Sequence, residues 1–299
     1  MAFTKQNVNY AADYSRAMAD AYPYISYFGE IWGANSANLY KPGMGSTMYI
    51  PSLTTSGARA TNRDQVTGTF NRNWNNSVQA VTLEMDREWD TLVDPMDMDE
   101  TDMVATIANV TKAFTEQQKV PEMDAYLASK LYGFVTPDTT ALTTANILTQ
   151  WDGYLEALAN ARANRDRVWA YMTPATYRLL KEAAGITRFV DAGSSERSVD
   201  RNVARLDGVN IREVPVDLMK SAYVFTEGWA PADGAVQINM ILVDPEAVAA
   251  PVKYEVAMMS EPTAQSKGKY LYYERYYYGA FKLNNRAGGI IVNAAASGN

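Results

Sequence analysis

The residue types that could do chemistry are concentrated in VDPMDMDE, where Asp94, Asp97, Asp99 and Glu100 crowd together. Carboxylates at that density can hold a hard cation, or act as the acid and base of a glycosidase-type reaction. The calcium-loop pattern fails, because its glycine position falls on Asp102 and its closing glutamate on Ala108. A second group is the tyrosine row Tyr270, Tyr272, Tyr273, Tyr276, Tyr277 and Tyr278, which offers flat faces for stacking bases. The chain has a net charge of −7, so the basic groove that accompanies such a platform is missing. Tyrosines in a strand also suit sheet faces and subunit contacts. With no Cys and no His, the sequence excludes disulfides, thiolate nucleophiles, zinc sites built on those residues, imidazole bases and Ser-His-Asp triads. Gly43-Met44-Gly45 and Gly288-Gly289 match neither a P-loop nor a dinucleotide fingerprint and read as turns. No cofactor and no metal is expected.

The elements that position these groups follow from periodicity. At 299 residues, 47% hydrophobic and 20% charged, the chain can bury a sizeable core. Tyr10, Tyr14, Met18 and Tyr22 step by four and predict a short helix before Pro23, followed by the aromatic stretch YPYISYFGEIWG, which belongs either to the core or to a subunit contact. STMYIPSL reads as one strand and SVQAVTLEMDREW as a second. The polar stretch between them is too long for an ordinary hairpin turn. Met103, Ile107, Val110 and Phe114 share a helix face, with Asp99, Glu100 and Asp102 at its start as caps. Pro121 then opens a second helix or kinks the first, with Met123, Leu127 and Leu131 as its buried line. Ile147, Trp151, Leu155 and Leu158 mark a further helix with Thr144 as cap. A buried strand VWAYM, a helix from Pro174 to Gly185 and a turn and strand in LDGVNIREVP predict an α/β unit, with a charged stretch from Asp191 to Arg205 inside it. AVQINMILVDPEAVAAPVKYEVAMM gives a strand, a turn and a strand, and two long strands close the chain. No apolar run of about eighteen residues and no basic leader occurs, which predicts a chain made and kept in a cytoplasm or in something assembled there.

DREWDTLVDPMDMDET, VPEMDAYLASKLYGF, DGVNIREVP and the C-terminal KYLYYERYYYGAFKLNNRAGGIIVNAA resemble the corresponding blocks of tailed-bacteriophage major capsid proteins with the Hong Kong 97 fold. The resemblance spans nearly the whole chain. It implies an α+β capsid fold with an N-terminal arm over 1–45 and an extended β-hairpin loop with flanking strands over 46–94. A peripheral domain with a long spine helix over 95–140, an α/β axial domain over 141–235 and return strands over 236–299 complete it. The implied role is a major capsid protein whose hexamers and pentamers build an icosahedral head in the bacterial host cytoplasm, and which resides in the virion. Double-stranded DNA would fill the lumen without specific binding, and no membrane is involved. About fifty residues precede the first loop strand, so scaffolding is expected from a separate protein, if at all; a portal and a decoration protein are the other implied partners.

In some members of that family a loop lysine forms an isopeptide bond with a neighbouring subunit. Between Lys41 and Lys112 this sequence has no lysine, so the resemblance implies a shell held by non-covalent contacts. The family's His-Asp pair in the C-terminal strand is replaced by Tyr278 and Gly279. Subunit-interface candidates are Arg59, Arg63, Arg72 and Trp74 in the loop, with Asp86, Arg87, Glu122 and Arg275 in the family-like blocks. Two alternatives stay open: an encapsulin-type shell enclosing enzymes, and a soluble enzyme using carboxylates alone, with Asp94 and Asp97 as its pair.

Overall fold

The structure is a computed structural model that describes residues 26–33, 41–42, 47–58, 72–100, 106–183 and 203–296. The predicted helix through Tyr10 and Tyr22 and nearly all of the charged stretch lie outside the described residues. The first described segment contains the short helix α1 (Gly29–Gly33). Phe28 and Ile31 are fully buried in the main core, so the aromatic stretch belongs there to the body of its own chain.

Strand β1 (Lys41–Pro42) pairs with the start of β2 (Thr47–Thr55), which runs antiparallel to β3 (Trp74–Thr82) from Thr47 opposite Thr82 to Thr55 opposite Trp74. β4 (Met85–Val93) follows after Leu83 and Glu84 alone. The stretch predicted as one strand is therefore two strands in two sheets. Its less exposed row, Val81, Leu83, Met85, Arg87, Trp89 and Val93, keeps period two across the break, so the alternation carries no mark of the change of partner. Leu83 is buried with Met48 and Phe281 at the point of transfer.

The acidic run makes its own short helix, α2 (Pro95–Glu100), in which Asp94 Oδ1 accepts the Met96 N–H at 3.1 Å. Asp99 and Glu100, predicted to cap the next helix, lie within α2 instead, while Asp102 and Met103 lie outside the described residues. α3 (Ile107–Phe114) is capped by Thr106, whose hydroxyl accepts the Asn109 N–H at 3.3 Å. A π turn over Thr115–Lys119, in which the Val120 N–H donates to the Thr115 carbonyl, joins α3 to α4 (Val120–Phe134). Pro121 has no N–H for the carbonyl of Gln117, and the wider turn just ahead of it lets the helical run continue. Leu127 and Leu131 are fully buried as predicted, and Met123 is partly so.

α5 (Ile147–Asn160) buries Ile147, Trp151, Leu155 and Leu158, as its spacing predicts. Its preceding residue is Asn146, whose Oδ1 accepts the Thr143 N–H at 2.7 Å; Thr144 is not the cap. β5 (Trp169–Met172) leads into α6 (Pro174–Glu182), which Thr173 caps, and the chain returns through β6 (Arg205–Leu206) to β7 (Val209–Glu213). β5 and β7 run parallel. A ribbon of β8 (Tyr223–Val224) and β9 (Ala230–Pro231) precedes β10 (Ile238–Val243). β11 (Val248–Ala249), β12 (Val252–Ser260), β13 (Tyr270–Tyr278), β14 (Phe281–Lys282) and β15 (Ile290–Ala294) complete the chain. Of the two long closing strands predicted, β13 is one; the other is broken into β14, a 3₁₀ turn over Asn284–Gly289, and β15.

Strands β15, β10, β5, β7 and β6, in that order, form a five-stranded sheet between two cores. Ala170, Met172, Met240 and Leu242 pack with α5 and α6, while Tyr171, Ile241 and Val243 pack with α4 and residues 28–31. A sheet covered on both faces needs apolar side chains at successive positions, which is why WAYM and INMILV are unbroken apolar runs apart from Asn239. A Cβ at Gly288 would come 2.6 Å from the Ala161 Cβ, and one at Gly289 would come 2.8 Å from the Ala247 Cβ. Gly288 lets the closing turn press against the end of α5, and Gly289 lets it press against Ala247. Among the described residues, no helix is long and apolar enough to cross a membrane.

Candidate functional site

The helical run α3 to α4 meets the sheet β12-β13-β4 along a seam of charged and aromatic groups. Strand pairing sets Arg87 opposite Tyr276 and Trp89 opposite Glu274, and period two turns these side chains to the same face of the sheet. Arg87 Nε lies 2.8 Å from Glu122 Oε1, and Arg87 Nη2 donates to Glu122 Oε2 at 2.9 Å. The Tyr278 hydroxyl donates to Glu122 Oε1 at 2.9 Å. Arg87 Nη1 also donates to the Phe225 carbonyl at 2.6 Å, so one guanidinium ties β4 to α4 and to the ribbon region. Glu122 is 3% exposed, and burial pushes its carboxyl above the ordinary value against the pull of Arg87. Burial and the same carboxylate push the Tyr278 hydroxyl up.

Two further latches lie along the seam. Lys119, in the π turn, forms an ion pair with buried Glu274, whose Oε2 accepts the Tyr272 hydroxyl at 3.1 Å. Trp89 stacks on Phe114 with ring centroids 4.0 Å apart and planes within 5°. On the opposite face, Arg275 donates to both oxygens of Asp86, at 3.0 and 2.7 Å, and holds that carboxyl below its ordinary value.

The structure thus brings Asp86 to Arg275 and Arg87 to Glu122 within one chain, pairings that the sequence did not specify. Arg72 and Trp74 stand together on the hairpin, the guanidinium 4.1 Å from the indole centroid. Arg59 and Arg63 lie outside the described residues. Asp94 is engaged as the α2 cap and stands 3.5 Å from Lys269. Among the described residues, no three acidic side chains cluster to hold a metal ion.

Sequence reasoning missed Asp124, which is fully buried. It accepts the Ser26 hydroxyl at 3.0 Å and the Tyr27 N–H at 2.7 Å, and so moors the first described segment. Arg212 of β7 holds the same segment, with two contacts of 2.6 Å to Glu30 and one of 2.9 Å to the Tyr27 carbonyl. The available signal was a carboxylate spaced three and seven residues from Leu127 and Leu131, on the apolar face of its helix.

The hairpin β2-β3 is held at its base, where Met48 and Ile50 are buried and Gln79 donates to the Lys282 carbonyl at 3.1 Å. Farther out it leaves the body: Leu53, Trp74 and Val78 are 65%, 51% and 54% exposed. A cleft of about 440 Å³ separates it from residues 283–286.

The capsid structure of cyanophage P-SCSP1u matches 97% of this chain and 94% of its own, with a TM-score of 0.63 at 13% identity. The capsid of Ralstonia phage GP4 matches 97% and 96%, with a TM-score of 0.62 at 13% identity. The chain has the tailed-phage capsid fold. A chain of Mycobacterium phage Che8 matches 95% and 97%, with a TM-score of 0.61 at 13% identity. No family model and no curated protein matches the sequence. In this version of the capsid fold, Tyr278 binds Glu122, and Gly279 admits the neighbouring side chains closely: a Cβ there would lie 2.9 Å from Phe281 Cζ and 3.1 Å from Leu83 Cδ2.

Proposed function

We propose that this chain is the major capsid protein of a tailed phage, forming hexamers and pentamers of an icosahedral head around double-stranded DNA. The observation that carries the reading beyond the fold is the hairpin β2-β3. A two-stranded ribbon is marginal by itself in water, and this one carries Leu53, Trp74 and Val78 outward with no core of its own. It gains a partner when it lies on the next copy. Arg72 and Trp74 make that contact, with Arg59 and Arg63 beside them in sequence. The exposed Asp86–Arg275 pair meets a neighbouring copy, and the buried Arg87–Glu122 pair supports it from within. Residues 46–94, 95–140 and 141–235 serve as extended loop, peripheral domain and axial domain. The role is structural and not enzymatic; portal, decoration and separate scaffolding proteins are its partners.

Sedimentation of the purified chain, with electron microscopy of the fast fraction, tests this. Closed shells, rings or tubes are expected, and boiling them in detergent should return a single 33.1 kDa band, since the loop has no lysine to cross-link. Trp74→Asp should abolish assembly and leave the monomer's melting unchanged. A monomer under all salt conditions, even when co-expressed with a scaffolding protein, overturns the reading. Shells filled with protein would move it to an encapsulin-type compartment.

A further inference from the structure

The sheet β12-β13-β4 has two outer edges, and they differ. Along β4 the exposed side chains are Asp86, Glu88, Asp90 and Leu92, three of the four acidic, so a second strand of like charge is repelled there. Along the second half of β12 the run Val256, Ala257, Met258, Met259, Ser260 carries no charge. Met258 and Met259 are 61% and 58% exposed. Successive residues of a strand point to opposite faces, so two exposed methionines in succession mean that neither face is covered at this edge. Among the described residues, no strand pairs with β12 on the side away from β13. An open, uncharged edge with apolar side chains on both faces is a template for another strand.

We propose that this edge pairs with the β12 of a second copy, antiparallel about a two-fold axis near Met258. The inference rests on the shell-subunit reading for its supply of copies. Self-pairing sets each residue against its own strand, so the strand must not repel itself. Centred on Met258, the contact sets Val256 against Ser260 and Ala257 against Met259, all uncharged, and it ends there, because the next step of the same register would set Glu255 against Glu261; the acidic edge of β4 is unsuited to the same arrangement. The pairing joins two three-stranded sheets into one continuous sheet across two copies.

The chain has no cysteine, which makes the test direct. Single variants Val256→Cys, Ala257→Cys, Met258→Cys, Met259→Cys and Ser260→Cys are oxidised with copper phenanthroline and run on non-reducing gels. Leu92→Cys, at a position 56% exposed on β4, serves as the control. A dimer of twice 33.1 kDa is expected, strongest at the residue nearest the axis and falling off to either side. It should form at least about tenfold faster than at Leu92, because a held pair reacts at the effective concentration of a tethered one. A different segment of a neighbouring copy on this edge brings no cysteine and gives no dimer. Shells that form while none of the five cross-links overturn the self-pairing and leave the shell reading intact. Dimers from a chain that builds no shell uphold the pairing and remove that reading. Neither shells nor dimers overturn both.

Discussion

Arg87 and Glu122 are 35 residues apart in sequence and meet through contacts of 2.8 and 2.9 Å where β4 crosses α4. The carboxylate is nearly sealed from water, and Tyr278 takes part of its remaining hydrogen-bonding capacity. Removing the cation leaves a buried charge behind.

Arg87→Met should therefore destabilise the fold by about 3 kcal/mol at neutral pH, the cost of stranding one member of a buried pair. The loss should shrink on acidification. Glu122 has a raised folded value, so the stability its protonated form contributes is full below 4.5 and is lost as pH rises through that folded value. Without Arg87 the rise is larger. Urea unfolding of both proteins across this range checks the sign; a gap that widens toward acid contradicts it.

Asp124→Ala removes the acceptor of the Ser26 hydroxyl and the Tyr27 N–H. Two hydrogen bonds to a buried charge are lost, about 3 kcal/mol together. Amide exchange should show residues 26–33 opening well before α4. Uniform exchange across both segments would show that the mooring is not local.

Gly288→Ala should cost about 1–3 kcal/mol, since its methyl has nowhere to go beside Ala161. Ala161→Gly in the same chain should recover most of the loss, because Ala161 is the residue that the methyl meets. Additive losses in the double variant would rule out this contact as the cause.

Tyr154 donates to Asp138 at 2.5 Å, and Thr140 donates to the same carboxylate through its N–H and hydroxyl at 2.9 and 2.7 Å. Burial works against ionisation, yet these donors hold the carboxyl below its ordinary value. A lowered group contributes stability above the unfolded value of 3.8 and loses it as pH falls through the folded one. Tyr154→Phe should thus lower the urea midpoint at neutral pH, and the gap should close in acid below 3.8.

Much of the fold was legible where burial is one-sided or complete. The α5 face and the apolar strands β5 and β10 follow directly from spacing. The passage from β3 to β4 was not legible, because a strand that changes sheets without changing phase keeps the same alternation. The cap of α3 was misplaced because carboxylates suit any helix start: Asp99 and Glu100 lie within α2, Asp102 lies outside the described residues, and Thr106 caps α3. At the seam, residue types pointed to Arg87 and Glu122 but could not pair them, since the partner of a charge is set by how a helix lies across a sheet. Asp124 went unseen because acids on helices are mostly solvated.

The five-stranded sheet also sets what evolution can edit. Over Trp169–Met172 and Met240–Val243, β5 and β10 give odd-numbered residues to one core and even-numbered residues to the other. Deleting one residue from either would exchange the contents of both interiors at once, whereas adding one to the turn over 261–269 moves nothing that is buried. A deletion and insertion scan should find WAYM and INMILV the least forgiving stretches of the chain, and descendants of this sequence should vary in length around them, not within them.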